Sequence, residues 1–340
     1  MKSRPLSSRL AIDPYLVLLM GTVALAAVLP ARGVGAEAMS YAVFVAVGLL
    51  FFLYGAKLSF RAVVEGLMHW RLQSLVFSST FILFPMIGLL VTVLLRRWLP
   101  PDLALGLMFV CVLPSTVQSS IAFTSIARGN VPAALCCASV SNLFGMVVTP
   151  ALVALLLSSH GAGFSFKALE DIGLQLLLPF GMGQILRPWI GKWLAGHKRI
   201  TSVVDRGSIL LVVYAAFSAG VVAGIWSQVG WESLALVLVL DVAMLAAVLA
   251  ITTFASRRLG FSKEDEIAIV FCGSKKSMAT GIPMANILFP GQAIGLIVLP
   301  LMLFHQAQLF ACATLAQRYA RRGEKEQDRT ALPNALEAAK

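Results

Sequence analysis

Charge is what this sequence has least of. Aspartate, glutamate, lysine and arginine together make up 13% of its 340 residues, about half the share of an ordinary soluble domain, which excludes a conventional water-soluble globule. Within that small share the acidic sign is the rarer, 16 residues against 27 basic, for a net charge of +11. Such a surplus would suit a nucleic-acid binder, yet no basic helix or aromatic-interleaved patch accompanies it, and no nucleic-acid partner is expected. The charges sit between apolar runs, where a membrane protein anchors its cytoplasmic face. Enzyme motifs are absent: no HExxH, GxSxG, P-loop or paired-aspartate pattern occurs, so no enzymatic activity is expected. The five cysteines, Cys111, Cys136, Cys137, Cys272 and Cys312, lie inside apolar stretches without metal-ligand spacing. They exclude a disulfide scaffold and read as small apolar packing residues.

What is there instead is hydrophobic. Apolar residues make up 59% of the chain and the mean hydropathy is +0.86. Runs of about 18 or more apolar residues mark ten spans, near 13–30, 39–58, 72–95, 103–127, 131–157, 168–190, 207–226, 232–254, 265–289 and 291–316. Asp13-Pro14 supplies an N-cap and a first-turn proline, while Gly129-Asn130 and Pro290-Gly291 are tight turns between adjacent spans. Lys2, Arg4 and Arg9 ahead of the first run also fit a signal peptide, but removing that span would spoil the symmetry described below. With both termini cytoplasmic, 21 of the 27 lysines and arginines fall on the inner side and only Arg32, Arg96, Arg97 and Lys167 in external loops. That asymmetry supports the topology and a bacterial inner-membrane location. The expected fold is an all-α membrane protein of ten transmembrane helices forming two inverted five-helix repeats, 10–157 and 165–318. The charged stretch 321–340 reads as a disordered cytoplasmic tail.

Two spans are broken at matching places, the fourth of five in each half. Span 4 is interrupted at Leu113-Pro114-Ser115-Thr116-Val117-Gln118-Ser119-Ser120, and span 9 at Cys272-Gly273-Ser274-Lys275-Lys276-Ser277. Such breaks persist only where the freed backbone is buried in protein or lines a cavity. Paired breaks are the sequence pointer to the midplane site of a secondary transporter, so spans 4 and 9 are expected to cross there. The candidate substrate- or ion-binding residues are Ser115, Thr116, Gln118, Ser119, Ser120 and Thr124 around the first break, Ser139 and Asn142 on span 5, and Asp241 on span 8. Ser274, Lys275, Lys276 and Ser277 at the second break and His305 on span 10 complete them. The lysines could bind an anionic substrate, stand in for a cation, or be neutralised by Asp241 for structure alone. On a helix they would point about 100° apart, so one is expected to face the crossing. Asp241 is expected to pair with one of them, and no metal site is certain.

Phe52-Leu53-Tyr54-Gly55, the first break, Arg128-Gly129-Asn130 and Gly273-Ser274-Lys275-Lys276-Ser277 together give a layout that resembles the bile-acid:sodium symporter family over about 10–318. It is closest to the divergent branch of the seventh human member and its bacterial relatives. The resemblance implies a panel domain of spans 1, 2, 6 and 7, a core domain of spans 3–5 and 8–10, and alternating access. Better-known members bind sodium with a glutamate and a glutamine on span 9. Aligned on Gly273, this chain has Phe271 and Lys275 there, and Thr80 replaces another glutamine on span 3. A second family sodium site would persist around Ser119, Ser120, Ser139 and Asn142.

The expected function is therefore secondary, symporter-like transport of a small organic anion, coupled to sodium, to protons or to neither. Lys275 is expected to replace the bound cation, with Lys276 the milder of the two. A non-transporting membrane regulator with the same fold is the alternative.

Overall fold

The computed structural model describes residues 14–57, 69–157, 174, 177–224 and 230–337. Its regular structure is helical throughout those residues: α1 (Pro14–Val28), α2 (Val34–Lys57), α3 (Trp70–Leu94), α4 (Pro101–Val112), α5 (Val117–Ile126), α6 (Val131–Leu157), α7 (Leu178–Gly196), α8 (Lys198–Val222), α9 (Trp231–Arg258), α10 (Lys263–Gly273), α11 (Met278–Leu288) and α12 (Ile294–Glu337). Six of these, α2, α3, α6, α8, α9 and α12, are long and apolar enough to cross a membrane, and α4 with α5 qualifies as a pair bent by 61°. Large apolar side chains such as Val93, Val239, Phe254 and Phe310 are exposed, which suits a surface solvated by lipid.

Several bounds differ from the apolar runs for one reason. A hydropathy window reports the lipid-embedded part of a helix, whereas hydrogen bonding carries the helix into the polar interface. Thus α8 begins at Lys198 and takes in Asp205 and Arg206. Likewise α12 runs to Glu337, so the stretch read as a disordered tail is helical over 321–337; its Ala, Glu, Lys, Arg and Gln are strong helix formers. The start of the sixth run falls mostly outside the described residues.

The chain divides into two compact units, and the division follows the panel and core that the resemblance implies. The smaller comprises residues up to Lys57, Gly173–Gln228 and the connection Phe289–Gly295; the larger holds Leu58–Ile172, Val229–Leu288 and the chain from Leu296. In the smaller unit α2 and α7 touch backbone to backbone. A Cβ on Gly55 would overlap the Phe180 carbonyl, and one on Gly183 the Phe52 carbonyl, so glycine is what permits the contact. Tyr54 donates to the buried Asp205 at 3.0 Å.

In the larger unit α10 is the central element. One side packs Ala268, Ile269 and Cys272 against Leu72 and Val76 of α3 and the small residues Ala133, Ala134 and Cys137 of α6. The other packs Ile267 and Phe271 against Cys312, Ala316 and Tyr319 of α12. The Arg128-Gly129-Asn130 turn is built onto this helix. Arg128 closes α5 in the left-handed region at φ 61°. A Cβ on Gly129 would run into Ile267, and Asn130 bonds the Glu264 carbonyl at 3.0 Å and Asp265 at 2.8 Å. Four of the cysteines are buried and none of the five forms a disulfide.

Candidate functional site: two broken helices joined by buried lysines

Pro114 sets the first break. It has no N–H to give the preceding turn and drives its predecessor extended; Leu113 accordingly sits at φ −73°, ψ 153°. The freed backbone needs new partners, and they come from other helices. Thr149 of α6 donates to the Val112 carbonyl at 2.8 Å, the Ser277 N–H to Pro114 at 2.9 Å, and the Asn142 amide to Ser115 at 2.9 Å. The Ser115 N–H donates to Ser141 Oγ at 3.0 Å. At the second break the last carbonyls of α10 accept hydroxyls: Phe271 from Ser120 at 3.1 Å, Cys272 from Ser115 at 2.6 Å, and Gly273 from Ser79 at 2.9 Å. The two interrupted segments therefore meet break to break.

Lys276 ties them together. Its ammonium donates to the carbonyls of Thr80, Cys111 and Leu113, each at 2.8 Å, and lies 4.2 Å from the Phe84 ring centre. All three N–H donors of the group are thereby used. The Cys111 and Leu113 carbonyls are free because α4 ends there. The Thr80 carbonyl is free for a subtler reason. Residues 79–83 form a π turn, in which the Phe84 N–H reaches Ser79; the next donor in that register, due to bond Thr80, is residue 85, a proline. The peptide of Lys276 is fixed as well: Gln308 of α12 accepts from its N–H at 2.9 Å and donates to its carbonyl at 3.0 Å. His305 contacts the same amide through Nδ1 at 2.8 Å.

Lys275 points elsewhere. Its ammonium donates to the Ser119 carbonyl at 2.7 Å and lies 4.1 Å from the Phe123 ring centre and 5.2 Å from that of Phe271. Both lysines are fully buried. The expected 100° separation assumed a helix, but 274–277 is not helical, and the two side chains diverge toward different partners. Neither meets Asp241. That carboxylate is wholly buried on α9, and neither of its oxygens has a hydrogen-bond partner. The expected Asp241–lysine pair does not form, because carbonyl dipoles and aromatic faces already satisfy the ammonium groups.

The remaining candidates separate by accessibility. Gln118 is exposed and Thr116 and Ser119 half-buried at the start of α5. Ser139 is buried; Ser274 and Ser277 bond locally, to Val270 O at 2.6 Å and from the Thr280 N–H at 3.3 Å. Ser119 Oγ, Thr124 Oγ1 and Asn142 Oδ1 are buried without a partner. Ser79, Thr149 and Gln308 were missed in the sequence. The available signals were faint: Gln308 lies one turn from His305, and Pro85 announces the irregular turn of α3.

This arrangement, two half-helix pairs meeting inside a lipid-exposed helical body, is that of a carrier, and comparison agrees. Residues 13–321 match the model of the SBF-like CPA transporter family. The chain is 55% identical over 321 residues to uncharacterized protein PA2026 of Pseudomonas aeruginosa, covering 94% of this chain and 96% of that one. It is 52% identical over 320 residues to "Putative symporter YfeH" of Escherichia coli K12, covering 93% and 95%. It is 30% identical over 280 residues to sodium/bile acid cotransporter 7 of Mus musculus, covering 80% and 81%. The chain is thus an integral membrane protein and belongs to the SBF-like CPA transporter family.

Proposed function

We propose that the protein is a secondary active carrier of a small organic anion in the bacterial inner membrane. In this reading ten spans form two inverted repeats, 10–157 and 165–318, with both termini cytoplasmic. The crossing of spans 4 and 9 is the site about which access alternates. The observation that carries the reading is the Lys276 ammonium on three backbone carbonyls, one from the π turn of α3 and two from the broken end of α4. A ring of carbonyl oxygens around one positive charge is how proteins replace the hydration shell of a bound cation. Here the charge is covalently part of the chain, and the residue that takes this place in our reading is Lys276 rather than the Lys275 expected from the sequence, which reaches a single carbonyl.

Sodium fits this donor set poorly. It would need oxygens that the Lys276 ammonium already holds. Ser119 Oγ and Asn142 Oδ1 do remain as unpartnered acceptors, but the Lys275 ammonium at the Ser119 carbonyl sets a like charge beside them. The same positive field, with the N-terminus of α5 bearing the half-buried Thr116 and the exposed Gln118, favours an anion. Asp241, buried without a partner, is the group in this unit best placed to exchange a proton with a transport cycle.

The test is flux. Purified protein in proteoliposomes, offered a bile acid and a panel of smaller radiolabelled carboxylates under a sodium gradient, a proton gradient or neither, should accumulate or exchange at least one. No flux of any anion in any condition would favour the membrane-regulator reading.

A further inference from the structure

Away from the crossing, α9 and α12, both in the larger unit, enclose a groove of about 740 Å3. Ala250, Phe254, Phe310 and Ala311 are among its lining residues, and Arg257 and Arg318 line it at the end where Glu266 joins α9 to Tyr319 of α12. The phenylalanines are 61% and 62% exposed, so no other part of the described chain covers them. At the arginine end Arg257 and Lys263 both pair with Glu266. Glu266 accepts from Nε and Nη2 of Arg257, each at 3.1 Å, and from Tyr319 of α12 at 2.9 Å. Arg257 and Arg318 are both exposed. Arg258 adds a third guanidinium, 5.1 Å from the Phe254 ring centre.

The groove's length is informative. From Ala246 to Arg257 α9 rises about 16 Å at 1.5 Å per residue, half of a hydrocarbon core about 30 Å thick. That is the depth of one leaflet, apolar along its length and cationic at the interface. We propose that this groove is a binding site for one anionic phospholipid, its phosphate on Arg257 and Arg318 and an acyl chain between Phe254 and Phe310. A zwitterionic lipid would leave the guanidinium groups without a matching net charge, and a second protein copy would have to bring an acidic group to the same depth.

The test is native mass spectrometry of the delipidated full-length protein with phosphatidylglycerol or phosphatidylcholine of identical chains. Phosphatidylglycerol should bind at least about fivefold more tightly, the factor that about 1 kcal/mol per basic residue gives. Arg318→Gln should lose about that factor for phosphatidylglycerol alone, with Arg318→Lys retaining it. Ala250→Phe, which adds bulk to the groove lining, should weaken both lipids and keeps the test independent of the arginine variants. Equal affinity for the two lipids, or phosphatidylglycerol binding unchanged in both Arg318→Gln and Ala250→Phe, would overturn the proposal. So would a dimer that Ala250→Phe dissociates, since the occupant would then be a second copy.

Discussion

Lys276 and Lys275 are neighbours of the same type with unequal duties. Lys276 donates to three carbonyls and Lys275 to one. A glutamine amide at 276 has two N–H donors and no charge, so at least one buried carbonyl loses its partner and the others lose an ionic one, at about 1–3 kcal/mol each. Lys276→Gln is therefore expected to lower unfolding stability in detergent by at least about 2 kcal/mol. Lys275→Gln, whose amide can replace the single bond to Ser119, should cost less than about 1.5 kcal/mol. The reverse order would refute the geometry given to the two ammonium groups. Asp241 supplies a second check. Breaking a buried ion pair typically costs about 3–5 kcal/mol, but this carboxylate has no partner and only its desolvation to lose. Asp241→Asn should thus leave the thermal midpoint unchanged or raise it; a loss of several kcal/mol would restore the pair. The lysines were conspicuous in the sequence because charge inside an apolar run is costly. Their partners were not, since depth along a helix says nothing of the direction a side chain takes, and backbone carbonyls do not appear in a roll of polar side chains.

Helix breaks and helix contacts are the element-scale features. Pro114 and the Gly273–Ser277 stretch announced two interruptions, and both are present at the expected residues. The third irregularity, the π turn of α3 at Ser79–Leu83, was hidden: a proline late in an apolar run is equally compatible with a smooth kink. Its consequence, a free Thr80 carbonyl, needs the register of the turn and not merely its presence. In the smaller unit the α2–α7 contact depends on glycine. Gly183→Ala places a methyl group on the Phe52 carbonyl, and overpacking of this kind costs about 1–3 kcal/mol. A lower midpoint in thermal unfolding is expected, with Gly181→Ala, where a Cβ meets nothing, as the unaffected control.

At the scale of the whole molecule the asymmetry of lysine and arginine carries the proposed topology. Cysteines introduced at Arg97 and His197, both exposed, should react with a membrane-impermeant maleimide from opposite sides. Labelling of both from one side would end the ten-span arrangement. Composition sufficed to place the chain in lipid, and the matched breaks to point to a carrier, because both are linear properties of the sequence. The division into two units was reached only through the family resemblance, because contacts between distant spans leave no local mark.

The replacement of a bound cation by a fixed ammonium is tested most directly by uptake into proteoliposomes of the first organic anion found to stabilise the purified protein. Uptake should be measured with sodium present and with sodium replaced by choline, for the wild type and for Lys276→Gln. Wild-type uptake should change by less than about twofold on removing sodium, and Lys276→Gln should lose uptake or become dependent on an added cation. Strictly sodium-driven uptake that is unaltered in Lys276→Gln would contradict the replacement.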